Sequence, residues 1–458
     1  MKKIFKPAKG QTYLKGALII SAGGFISKLL GAVYRIPLLA FLGGGGMGIY
    51  QMVYPLYCIL LTVSASGIPT GIARVISSGQ CRFAERSAIR LYGAFGLAGS
   101  LLMFMLSAPL AAAQGEPAVE LCCKLLAPSV FFVSIISVVR GYFQGRGNMT
   151  PTAVTEVAEQ VVKVAAGVVL CYIFRGNPSR AVAAAVLAVT LSEVLSACFA
   201  AVLYFRSERG RAPLYFRPAD YYRPILRYTI PLTFTAMAMP LSQLAESIVL
   251  VWILRGAVDN ATSLWGVFSG CAMTLINLPV SLTYGLAAAG VPKISPLAQS
   301  GKMDEAKACV RRSLMITLAV SAPCAVALYV FAPLAADIVF GSLTSAERSL
   351  LITLVRIMSV NAVTLSLVQT SSACLTSLGK PLCGTATQWL TSVLRVIVSA
   401  LLAAFTPLSV CGAAVAANIC YFVAVLLNLW YIIKVRGTAN ENNLNRTWSK
   451  RRRYDAVG

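Results

Sequence analysis

The chain has 458 residues, of which 57% are hydrophobic and only 12% charged. Soluble domains carry about 25% charged residues, so an ordinary soluble fold is excluded and an all-α polytopic membrane protein is implied. The formal charge of +24 comes with no histidine, which removes imidazole-based metal sites, triads and proton shuttles. So apolar a chain has little polar surface on which to hold nucleic acid, and the basic residues need another explanation.

A helix needs about 20 mostly apolar residues to cross the hydrocarbon layer. Twelve such runs can be marked, over 14–42, 48–78, 88–113, 119–142, 152–174, 181–205, 224–254, 262–290, 308–340, 348–378, 382–405 and 409–434. The first follows a lysine-rich start and is too long for a cleaved signal, so it reads as an uncleaved span. Gly43–Gly46 falls in the first connector and reads as a flexible hinge. Pro37, Pro55, Pro69, Pro231, Pro240 and Pro279 predict kinks, because each removes a backbone donor. The 13 cysteines are scattered along apolar runs without metal-ligand spacing and read as packing residues.

With the N-terminus placed inside, thirty of the forty basic residues fall in the termini and every second connector, among them Arg140, Arg209 and Lys380, against four in the outer connectors. This follows the positive-inside rule and predicts an even span number with both termini in the cytoplasm. The chain also repeats. Ala108–Ala112 matches Ala332–Ala336 as APLAA, and Gly147 with Pro151 matches Gly379 with Pro381. The expected organisation is a six-helix bundle over 1–205, a basic linker over 206–223, a second six-helix bundle over 224–434 and a basic tail over 435–458. Six spans per unit make the repeat parallel, with the substrate site between the halves.

Charges inside spans are costly and should face the interior. Lys28 and Arg35 lie two turns apart on one helix face and fit an anionic ligand; the other reading pairs them with acids on other helices. Glu159 and Lys163 are spaced i,i+4 and read as an intrahelical pair or as a polar gate. Glu193 and Glu246 have no local partner. Each reads as a protonatable or Na⁺-binding carboxylate, or as a partner of Arg356 or Arg395 across the bundle. No phosphate-binding loop, nucleophile elbow or acidic metal cluster is visible, so the chain reads as a transporter, not an enzyme, without cofactor or metal.

Several stretches resemble a known family. These are Ser27-Lys28-Leu29-Leu30-Gly31-Ala32-Val33-Tyr34-Arg35, Gly46-Met47-Gly48-Ile49-Tyr50-Gln51, Arg140-Gly141-Tyr142-Phe143-Gln144-Gly145 and Leu275-Ile276-Asn277-Leu278-Pro279. They are similar to the stage V sporulation protein B group of polysaccharide flippases, in the superfamily of MATE exporters, Wzx flippases and lipid II flippases. The resemblance implies a MATE-type fold, a bacterial plasma-membrane location and alternating access. It implies that an undecaprenyl-pyrophosphate-linked glycan moves from the inner to the outer leaflet. Basic residues of span 1 line the cationic cavity of the lipid II flippases; Lys28 and Arg35 match them, and Arg74 matches more loosely. The lipid II flippases carry charges in span 8 where this chain has Thr274 and Asn277, which with Arg356 and Arg395 are the second-half candidates. The expected partners are the lipid-linked oligosaccharide and membrane lipids, with the protein a monomer. The competing reading is a drug or organic-cation antiporter on the same fold. It would want acids and aromatic rings in the cavity, against which Lys28 and Arg35 stand.

Overall fold

The computed structural model describes residues 13–62, 67–77, 84–207, 222–256, 258 and 260–435. The lysines before Tyr13, most of the linker 206–223 and the tail from 436 onward lie outside the described residues. Every regular element described is helical. The first half contains α1 (Tyr13–Thr62), α2 (Ile68–Ser77), α3 (Ala84–Met105), α4 (Ser107–Gln114), α5 (Ala118–Gly145), α6 (Thr150–Ile173) and α7 (Pro178–Arg206). The second contains α8 (Tyr222–Arg255), α9 (Ala261–Trp265), a π-helical segment (Gly266–Ala272), α10 (Met273–Gln299), α11 (Met303–Val330), α12 (Ala332–Val339), α13 (Ser345–Ser377), α14 (Pro381–Phe405) and α15 (Val410–Lys434).

Ten helical segments among the described residues are long and apolar enough to span a membrane, which makes this a multi-pass membrane protein. One of them, Ala22–Ile59, covers two of the expected runs. It breaks inside α1 at Gly43, whose φ of 64° and ψ of −178° suit glycine alone. The expected run over 152–174 is α6, and Glu156, Glu159 and Lys163 make it too charged to count among the ten.

The glycine run is a kink followed by close packing, not a free hinge. A Cβ on Gly44 would strike the Glu347 side chain, and one on Gly48 would strike the Thr262 carbonyl. The helices α1, α2, α3, α5, α6 and α7 pack on one another, and α10, α11, α13, α14 and α15 form a second set joined by α8. The sets meet where α1 crosses α8, α9, the π-helical segment and α10, and where α2 crosses α8. At the Gly43 end one large apolar cluster runs through both sets, including Leu38, Met47, Leu126, Trp265, Phe268, Phe340 and Leu354.

The repeated motifs occupy matching places. Each APLAA lies in a short helix, α4 or α12, set off from a long helix by a single residue, Leu106 or Phe331. Gly147 and Gly379 both turn in the left-handed region, with φ of 74° and 79°. Pro151 and Pro381 then open α6 and α14 in their first turns, where the missing N–H costs nothing. Arg140, counted above with a connector, instead lies inside α5 and is buried.

Candidate functional site

A cavity of about 360 Å³ lies between the two sets of helices. Its first-half wall is α1 and α6, which contribute Lys28, Arg35, Gln160 and Lys163. Its second-half wall is α10 and α13, which contribute Thr274, Asn277, Ser281 and Gln369. The seven-residue spacing of Lys28 and Arg35 brings both to the same wall. Leu38 and Tyr50 close one end of the cavity and belong to the apolar cluster at the Gly43 end. Among the described residues, three cations line the cavity and no carboxylate does.

Arg35 spans the seam. Its Nη1 donates to Thr274 Oγ1 and to the Gly270 carbonyl at 3.4 Å. Its guanidinium lies 5.4 Å from the Tyr54 ring centre, in cation–π range. Gly270 sits in the π-helical segment, where the altered hydrogen-bond pitch leaves carbonyls for other donors. Thr274 Oγ1 also donates to this carbonyl. Around the cations, Ser27 Oγ, Tyr34 Oη and Gln160 Oε1 are buried and have no hydrogen-bond partner among the described residues.

The remaining predicted residues lie elsewhere. Glu159 does not pair with Lys163: Arg140 reaches its Oε2 at 2.9 Å and also donates to Thr155 Oγ1 at 3.0 Å. A guanidinium from α5 satisfies that carboxylate better than the flexible ammonium one turn away, which lines the cavity instead. Glu193 is fully buried and accepts from Tyr57 Oη at 2.6 Å, while its Oε2 has no hydrogen-bond partner among the described residues. Glu246 and Arg395 pair with each other through bonds of 3.1 and 2.6 Å, and Ser399 donates to Glu246 at 2.9 Å. Arg395 also donates to Tyr421 Oη at 2.7 Å. Arg395 thus lines not the central cavity but a smaller one of about 90 Å³, and Gln369 borders both. Arg74 is exposed at the end of α2 and Arg356 is exposed on α13; neither lines the cavity. Tyr54 and Gln369 also line it and were not singled out, because a tyrosine or glutamine in an apolar run carries no charge to draw notice; Tyr34 and Tyr50 figure only within the family-like stretches.

An apolar-surfaced helical bundle with a cationic cavity across its central seam is built as a membrane transporter. The profile of the polysaccharide biosynthesis protein family matches residues 13–298. The chain belongs to that family. It is 29% identical to stage V sporulation protein B of Bacillus subtilis (strain 168) over 350 residues, 72% of this chain and 67% of that one. It is 24% identical to the lipid II flippase MurJ of the same organism over 321 residues, 63% of this chain and 58% of that one. The match therefore spans little more than half of that flippase. In fold it is similar to the inward-facing conformation of a multidrug resistance MATE family transporter of the MOP superfamily. The TM-score is 0.75 at 17% identity, with 88% of this chain and 94% of that one covered.

Proposed function

We propose that the protein is a flippase for a polyprenyl-pyrophosphate-linked glycan, working by alternating access in a bacterial plasma membrane. One observation carries this reading: the cavity between the halves is lined by Lys28, Arg35 and Lys163 and, among the described residues, by no acid. Such a site attracts a compact polyanion, because charge-assisted hydrogen bonds to phosphate are the strong ones. The pyrophosphate binds Lys28, Arg35 and Lys163. The sugars meet Tyr34, Gln160, Asn277 and Gln369, and the prenyl chain stays in lipid. The similarity to MurJ and to stage V sporulation protein B supports a lipid-linked substrate. The same lining argues against a drug or organic-cation antiporter.

The chain is read as twelve spans in two six-helix units, 1–205 and 224–434, with both termini in the cytoplasm. Splitting the long first span at Gly43 and adding α6 to the ten apolar segments supports that number. In this orientation the Gly43 end faces outward and its apolar cluster seals it. Arg35 latches α1 to α10 in this state. An arriving pyrophosphate competes for the guanidinium with Thr274 and Gly270, releases the latch and lets the outer end part. Glu193, with one oxygen unpartnered among the described residues, is the candidate for coupling to H⁺ or Na⁺. The protein acts as a monomer and without a cofactor.

The test is transport in proteoliposomes. Lipid II, another undecaprenyl-pyrophosphate sugar and an organic-cation dye are presented in parallel. The reading expects movement of one or both pyrophosphate lipids and none of the dye. Dye transport without lipid movement would overturn it.

A further inference from the structure

Arg356 lies away from the central cavity, and its surroundings describe a second site. The outer faces of α11, α13 and α15 enclose a groove of about 550 Å³. Val326, Tyr329, Val360, Val363, Leu367 and Phe422 line it. The two aliphatic hydroxyls in its wall are occupied: Ser359 donates to the Arg356 carbonyl at 2.9 Å and Thr364 to the Val360 carbonyl at 3.3 Å. What the groove offers a guest is hydrocarbon surface. Along α13 the lining runs from Ser359 to Leu367, about 12 Å of helix axis.

Arg356 stands at one end of this groove. It lies one turn before Val360 on the same face of α13, and its guanidinium is 5.8 Å from the centre of the Tyr329 ring. The side chain is exposed, and among the described residues no carboxylate forms an ion pair with it. Arg356 is eleven residues into α13, about 16 Å from its start; a helix of 33 residues overhangs a ~30 Å hydrocarbon layer by roughly 10 Å at each end, which puts the Arg356 backbone just inside that layer. An arginine at such depth is costly unless it meets an anion or reaches water. A phosphodiester matches its fork of donors.

We propose that this groove holds one chain of an anionic phospholipid, with the phosphodiester seated on Arg356. A lipid held there bridges three helices, of which α13 also lines the central cavity. In the orientation proposed above it belongs to the outer leaflet. The site is otherwise independent of what the central cavity carries.

The test uses full-length protein in vesicles doped with phosphatidylglycerol bearing a photoreactive group in one chain, and phosphatidylcholine with the same group as the neutral control. Crosslinked peptides are mapped. In the wild type, peptides spanning Val360–Leu367 and Phe422–Val425 should take the phosphatidylglycerol probe about fivefold more than the neutral one, the preference of one cation near the membrane surface. Arg356→Gln should remove that preference and Arg356→Lys should keep part of it. Labelling of the exposed α3 positions Phe95 and Leu101 should stay unchanged as the internal control. Val363→Trp, which fills the groove, should cut labelling by both probes. Equal labelling by the two probes in the wild type, or an unchanged preference in Arg356→Gln, would show an arginine that only snorkels to water beside ordinary bulk lipid. Either result would overturn the proposal, whatever the transport assay gives.

Discussion

Replacing Thr274 with valine isolates the latch from the anion site. The two side chains have nearly one shape, so the cavity wall is kept while the Oγ1 acceptor is lost. Of its hydrogen bonds to α10 and the π-helical segment, Arg35 then keeps the longer one, to the Gly270 carbonyl at 3.4 Å. A hydrogen bond to a charged group contributes about 1.5–3 kcal/mol. The Gly270 contact survives, so the lower end of that range applies. About 1.5 kcal/mol shifts a two-state equilibrium roughly tenfold. An outward-open state populated at about 1% would rise to about 10%. The assay is a distance distribution between spin labels on Ser179 at the start of α7 and Ser345 at the start of α13. Both are exposed and lie on opposite halves. Val182 of α7 and Glu347 of α13 both approach the glycine run, so a parting of that end separates the labels. Thr274→Val should show a growing long-distance population and should still bind the lipid-linked pyrophosphate. Identical distributions in the wild type, Thr274→Val and Arg35→Ala would refute the latch.

Other expectations follow from the buried charges and the caps. Arg395→Ala leaves Glu246 buried with Ser399 as its remaining donor, so stability in detergent should fall by about 3–5 kcal/mol. The double variant Glu246→Leu/Arg395→Met should recover most of that in the same unfolding titration; no recovery would mean the pair does more than neutralise itself. Glu193→Gln should keep lipid binding and lose the dependence of transport on pH or Na⁺, read in proteoliposomes under imposed gradients. Thr344 and Glu347 form a reciprocal cap on α13, with bonds of 3.0 and 3.4 Å, so Thr344→Ala should cost about 1 kcal/mol by thermal unfolding. In α12, past the spanning segment that ends at Val330, the hydrogen bond from Arg348 holds the exposed Asp337 carboxyl below its ordinary value of 3.8. A depressed acid contributes stability that is present above its unfolded pKa and lost as pH falls through the folded one. Asp337→Asn should therefore remove a small acid-side step below about pH 4; an unchanged acid limb would contradict that.

The spans were legible because crossing a bilayer demands length and apolarity, which composition shows directly. The first wall of the cavity was legible because two cations seven residues apart in an apolar run have few innocent explanations. The second wall was not. Its polar groups are amides and hydroxyls, and the Arg35 latch depends on a π-helical carbonyl that no residue type announces. Glu159 looked like the partner of Lys163 because i,i+4 spacing is visible in sequence. Its actual partner, Arg140, looked like a connector residue because it lies near the end of α5. The Glu246–Arg395 pair joins residues 149 apart, and sequence offered it only as one of two options. Arg356 was drawn to the cavity list by being a charge in a span, but spacing alone does not say which face of α13 looks inward.

The central claim is that Lys28, Arg35 and Lys163 carry the pyrophosphate through the cavity. Transport of a fluorescent polyprenyl-pyrophosphate disaccharide in proteoliposomes tests it most directly, comparing the wild type with Lys28→Gln, Arg35→Gln and Lys163→Gln at matched protein levels. Each lost cation should lower transport by about tenfold or more, on the scale of one charge-assisted contact of at least about 1.5 kcal/mol. The Lys28→Gln/Arg35→Gln double variant should be inactive. Wild-type rates in all three single variants and in the double variant would contradict the account.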